Sequence, residues 1–130
     1  MARAENVQTI SGQAGEVLPI YRFVQLQSDG QYDLMTGASG TLAHAVTAEA
    51  AAAAGDTLAL CPAGQPCIML VEAAEAIAVG DMVAAETATG KAIGAVTAGA
   101  GLFNQGVAQS ASSADGEIIE VLLLVAANQV

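Results

Sequence analysis

The chain has no tryptophan, two phenylalanines and two tyrosines in 130 residues, an aromatic share of 3%. Surfaces that stack on nucleobases or sugar rings are built from exposed aromatic side chains, and this chain has almost none to offer. Cations are nearly as scarce: three Lys and Arg stand against thirteen Asp and Glu, a formal net charge of −10. Phosphate backbones and anionic lipid surfaces are held by clustered Lys and Arg. Arg3, Arg22 and Lys91 are scattered along the sequence, so no basic patch is expected and neither nucleic acid nor membrane is a partner.

Groups that do chemistry are also missing. The single histidine, His44, lies in the alternating stretch TLAHAV (41–46), with no second histidine to complete a zinc site and no G-x-S-x-G nucleophile elbow. TGKA (89–92) resembles the end of a phosphate-binding loop. Position 85 is Ala where that motif needs glycine, however, and Ala92 stands where Ser or Thr should follow the lysine. It reads as a hairpin turn, with Gly90 at positive φ and Lys91 solvated. GAGLFNQG (99–106) fails as a dinucleotide fingerprint because the third glycine is replaced by Asn104. The acid pairs Glu72/Glu75 and Asp29/Asp33 do not follow a calcium-loop pattern and read as solvated surface. The expectation is a protein that is not an enzyme, with no catalytic residue, cofactor or metal.

Long apolar runs are absent too. IIEVLLLVAA is short and carries Glu120, and MARAENVQTISG lacks the apolar centre of a signal peptide, so synthesis in a cytoplasm is expected.

What the chain does contain is 54% apolar residues, mostly Ala, Val, Leu and Ile. One domain of this length buries about two thirds of its unfolded surface. Each alanine removes little area, at roughly 25 cal/mol per Å², so such a core gains from a partner or a symmetric neighbour. Turn signals (SDGQ, TGASG, AAGD, PAGQP, AVGD, TGK, GAG, SADGE) punctuate the sequence at short intervals. Between them lie runs rich in Val, Ile, Leu and Thr at 16–27, 31–35, 41–46, 57–61, 67–71, 81–86, 91–96, 103–109 and 117–125. Short strands separated by glycine-rich turns predict an all-β fold, a small sandwich or barrel of about eight to ten strands. In EVLPIYRFVQLQ (16–27), Leu18, Ile20, Val24 and Leu26 fall on one face and Tyr21 and Phe23 on the other, with Pro19 at an edge or bend. IIEVLLLV is apolar on both faces apart from Glu120, which suits a central strand.

One pattern repeats. AAAAAGDTLAL (50–60), AEAIAVGDMVA (74–84) and, more loosely, SASSADGEIIEVLLL (110–124) each run from small residues through a Gly/Asp corner into an apolar stretch. Glycine adopts positive φ and Asp bonds its own turn, so Gly55-Asp56, Gly80-Asp81 and Asp115-Gly116 are read as strand-opening turns. One short helical turn at 48–54 is the alternative for the alanine run. Spacings of 25 and 36 between the glycines are too uneven for a solenoid. Cys61 and Cys67 bracket PAGQP: either a disulfide closes a hairpin there, or two small thiols are buried in a reducing compartment. Residues 1–15 read as a flexible tail or an arm adding a strand to another protein, with Val7, Thr9 and Ile10 as its contact residues, and residues 16–130 as a single β domain.

In order, IYRFVQL, AAAAAGDTLAL, AEAIAVGDMVAAETATGKAIG and GVAQSASSADGEIIEVLLL resemble the capsid cement, or head decoration, proteins of tailed bacteriophages. The resemblance covers residues 20 to 125; YDLMTGASGTLAHAV and CPAGQPC fit it less well. It implies a β domain on the outer surface of an icosahedral virion, a homotrimer, bridging neighbouring major capsid proteins after synthesis in a bacterial host. The alternatives are a virion-displayed domain adhering to a host-surface glycan, or a non-catalytic subunit of another assembly.

Overall fold

The computed structural model describes residues 4, 7–98 and 103–127. Ten strands form, in chain order β1 (Ile10–Gln13), β2 (Phe23–Leu26), β3 (Tyr32–Leu34), β4 (Ala45–Thr47), β5 (Thr57–Pro62), β6 (Ile68–Glu72), β7 (Met82–Ala85), β8 (Ala92–Gly94), β9 (Phe103–Ala108) and β10 (Ile118–Ala127). They make two five-stranded antiparallel sheets, ordered β1-β5-β4-β2-β3 and β6-β10-β9-β7-β8. This is the all-β sandwich the turn spacing predicts. β10 lies between β6 and β9, an interior strand, as its two apolar faces require.

The two orders are the same order with every strand number raised by five, and the agreement extends to individual bonds. The N–H of Leu18 and the carbonyl of Ala51 pair as those of Ile77 and Ser112 do, and Gly55 donates to the Ala14 carbonyl as Gly116 does to Ala73. Even a side-chain staple recurs: the Glu16 carboxylate accepts from the Leu34 amide, and the Glu75 carboxylate from the Gly94 amide. The chain is therefore a tandem of two like-folded units, 10–62 and 68–127, joined by residues 63–67. In each unit a parallel bridge, Ala14 to Tyr32 or Ala73 to Ala92, brings the two edge strands together and curls the sheet on itself.

Curling gives each sheet an inward and an outward face, and successive residues alternate between them. In the first unit Ala14, Leu18, Val24, Ala45, Leu58 and Leu60 form a small inward core of their own. Their neighbours Phe23, Val46 and Cys61 point outward and join a larger core with Met69, Val71, Val83, Ile119, Val121 and Leu123 of the second unit. At Phe23–Val24, Ala45–Val46 and Leu60–Cys61 the first sheet is thus buried on both faces.

Several local expectations need correction. The stretch 16–27 is not one strand: Tyr21 sits at φ 65, Leu18 makes an isolated bridge to Ala51, and regular pairing starts only at Phe23. The two-face assignment fails with it, since Phe23 and Val24 are both fully buried while Ile20 and Leu26 are exposed. Residues 48–54 make bends and a turn, not a helical turn; alanines carry no stripe to bury there. The helical turn is α1 (Ala95–Ala98), which ends the expected strand 91–96 at Gly94. Within residues 1–15, β1 pairs along its length with β5, Ile10 opposite Leu60.

Candidate interaction surface

Most features singled out in the sequence have a defined place; Arg3 and residues 99–102 of GAGLFNQG lie outside the described residues. His44 is exposed, and its Nδ1 accepts a hydrogen bond from the Leu26 amide at 2.9 Å, so the ring serves the local backbone. Among the described residues no three His, Cys, Asp or Glu side chains gather closely enough to hold a metal ion.

Gly55, Gly80 and Gly116 lie at φ 90, 90 and 97, immediately ahead of β5, β7 and β10. Asp56 and Asp81 each accept an amide three residues back, Ala53 at 3.1 Å and Ala78 at 3.0 Å. At the third corner that work passes to Glu117, which takes the amide and hydroxyl of Ser113 and whose carboxyl those bonds hold below its ordinary range. Asp115 is turned to Lys91 instead.

The two described basic residues, Arg22 and Lys91, are committed internally. Arg22, ahead of β2, and Lys91, ahead of β8, both bind Glu72 at the end of β6, at 3.2 and 3.1 Å, and Lys91 also reaches Asp115 at 2.7 Å. Arg22 Nη1 donates to the Thr89 carbonyl, while its buried Nε has no hydrogen-bond partner among the described residues. This network ties the first unit to the second. Lys91 is accordingly not a solvated turn residue: its side chain is 16% exposed, and the hydrogen bonds to Asp115 and Glu72 raise its pKa. Nor are Glu72 and Glu75 plain surface groups, whereas Asp29 is exposed and bonds only its own turn. Glu75 Oε2 accepts from the Gly94 amide at 2.8 Å and the Thr97 hydroxyl at 2.9 Å, and lines a cleft of about 290 Å³ with Asp81 and Met82.

Asp33 is the reverse case. Its Oδ1 is buried without a partner among the described residues, lodged over Gly15, where a Cβ would stand only 2.1 Å away. Burial first, then the neighbouring charges of Glu16 and Asp29, raise its pKa. The folded state therefore holds this proton more tightly than the unfolded chain does. The stabilising contribution of that proton is complete at acid pH below the ordinary aspartate value and is lost as pH rises through the raised one. Asp33→Asn should raise the Tm by a few degrees at pH 7 in a calorimetric scan, with the advantage shrinking as pH falls below 4; a lower Tm at neutral pH would contradict this.

Cys61 and Cys67 are both buried free thiols, their sulfurs 3.6 Å apart, at the two ends of the linker between the units. Burial, then the hydrogen bond and charge of Cys67, push the Cys61 thiol up to about 12, and burial likewise raises Cys67. Thiolate is the reactive form, so both should resist a disulfide reagent at pH 8 in the folded protein and react fully in guanidinium.

The four aromatics are dispersed. Phe23 is fully buried, Tyr21 and Tyr32 are half-buried, and Phe103 is 41% exposed. What remains open is aliphatic. On the outward face of the second sheet Met82, Val107 and Leu122 lie side by side across β7, β9 and β10, all half-buried. Ile118 and Leu124 on β10 extend the same face at 38% and 37% exposure. The sequence could not single these out: alternation marks two faces of a strand but not which one finds a partner inside the chain.

Of the expected arm residues, Val7 packs against the larger core, Thr9 is exposed, and Ile10 is exposed at 46% on an edge strand.

No protein-family model and no curated protein matches this chain. Among solved structures it is similar to the N base of the head fibre protein gp8.5 of bacteriophage phi29, with a TM-score of 0.65 and 19% sequence identity over 90% of this chain and 93% of that one. The chain shares, over nearly its whole length, the fold of a protein that belongs to a phage head.

Proposed function

We propose that the chain is a structural protein of a phage virion that binds the outer surface of the icosahedral capsid as a homotrimer and bridges neighbouring major capsid proteins. The observation that carries this reading is the fold, matched across 90% of the chain to a phage head-fibre base. The ordered sequence resemblance to cement proteins is consistent with it. In this reading the protein works by contact and not by catalysis. Three linked copies turn modest contacts into tight attachment, an avidity gain on the order of 10²–10⁴. Because the protein binds the assembled shell and not free subunits, mass action favours the shell. Its net charge of −10 keeps it off packaged DNA.

Glycan adhesion is less well supported, since a sugar-stacking site would have Phe103, 41% exposed, as its one exposed aromatic among the described residues. Of the expected contact residues, Thr9 is exposed just ahead of β1 and would contribute to capsid contact, while Val7 packs against the larger core. Deleting residues 1–12 removes most of β1 and is therefore a test of stability as much as of binding.

The deciding experiment incubates the purified protein with expanded capsids that lack it, pellets them, and heats the product. Co-pelleting together with a higher capsid disruption temperature supports the proposal. Protein left in the supernatant at micromolar concentration would rule it out.

A further inference from the structure

We infer that copies of this chain join head to tail, with the outward face of the second unit in one copy seated on the open rim of the first unit in the next. The copy number, three, rests on the reading above; the joint itself is argued from the tandem.

Within one chain the two units meet through unlike surfaces. The outward residues Phe23, Val46 and Cys61 of the first unit share a core with Met69, Ala85 and Leu123, the rim of the second unit's inward pocket. That rim is closed: the three residues are 3%, 0% and 1% exposed. The register of the two units gives each of these positions a counterpart. Ile10, Leu26 and Pro62 occupy in the first unit the places that Met69, Ala85 and Leu123 hold in the second; Ile10 and Leu26 are each 46% exposed and Pro62 is half-buried. Met82, Val107 and Leu122 occupy in the second unit the places of Phe23, Val46 and Cys61, and they are half-buried, with Met82 at the edge of the cleft it shares with Glu75, Asp81 and α1. Each half of the internal joint therefore exists a second time, unmated, on the same molecule.

Two complementary patches at different places on one protein make a heterologous contact, which propagates until it closes as a ring. A second copy is the partner the chemistry favours. The side chains of the face and the rim are uncharged, with Glu75, Asp81 and Glu120 at the margins of the face, and a second copy presents the same apolar surface that already closes the internal joint. Three copies joined this way set six like-folded units around one ring.

The test uses the full-length chain, with mass measured by light scattering. Wild type should give the mass of three chains. Val107→Glu on the outward face and Leu26→Glu on the rim should each give monomers, with melting curves confirming that both fold; if Val107→Glu does not fold, Met82→Lys replaces it. An equimolar mixture of the two variants should then form a one-to-one dimer, because one retains an intact rim and the other an intact face. A face-to-self contact cannot produce that result. A monomeric wild type, a Leu26→Glu variant that keeps the wild-type mass, or variants that stay monomeric on mixing would each overturn the inference. A wild-type monomer that still pellets with capsids would overturn the head-to-tail joint and leave the capsid-binding proposal standing; a trimer that ignores capsids would do the reverse.

Discussion

Replacing Gly90 by alanine is expected to destabilise the protein by about 3–5 kcal/mol, a fall in Tm on the order of 10–20 °C for a chain of this size. Two effects combine. Gly90 lies at φ 69, a conformation that costs a side-chain-bearing residue about 1–3 kcal/mol. In addition, a Cβ there would stand 2.2 Å from the Phe23 carbonyl oxygen, whose own amide donates to the Gly90 carbonyl at 2.7 Å. Relief requires moving the backbone of one unit away from the other. Gly80→Ala is the control: it shares the positive φ, at 90, but a Cβ there meets nothing within 4 Å. Its cost should be only the conformational share, about 1 kcal/mol. Chemical denaturation of both variants measures the difference, and equal losses would show that the close approach to Phe23 has no energetic weight.

Phe23→Ala is expected to cost about 3–5 kcal/mol, the range for truncating a fully buried aromatic. The ring is 0% exposed and lies where the outward face of the first sheet enters the core of the second unit. With total stabilities of 5–15 kcal/mol typical of folded domains, a loss of this size leaves a marginal protein. Because the ring joins the units, the variant should also loosen the linker between them. The buried thiols Cys61 and Cys67, protected in the parent, should then label faster under native conditions. A Phe23→Ala protein with unchanged stability and silent thiols would mean that the two units are held by other contacts, such as the Arg22–Glu72–Lys91 ion pairs.

The two effects are separable. The Gly90 clash is with the backbone atoms of Phe23, not its ring, so truncating the ring does not make room for alanine at 90. The double variant should therefore be worse than either single one.

The sequence by itself determined the class of fold, the placement of most strands, and the chemistry of the corners. Positive φ at Gly55, Gly80 and Gly116 and the Asx bonds of Asp56 and Asp81 are local events, settled within four residues, and local patterns record them. The repeat was legible only in fragments. Gly55 and Gly116 are true counterparts, 61 positions apart, and the uneven spacings of 25 and 36 arise because Gly80 falls between them with a different counterpart, Tyr21. Tyr21 takes the same left-handed conformation, at φ 65, without being glycine, so the composition hides the match. Strand order and register are long-range hydrogen bonding, and only the folded chain shows that two stretches with few identities pair their strands alike. Burial was decided at the same level. Phe23 and Met82 look alike on alternation, yet one is sealed between the units and the other faces outward, because the tandem has a single internal joint and two units to satisfy.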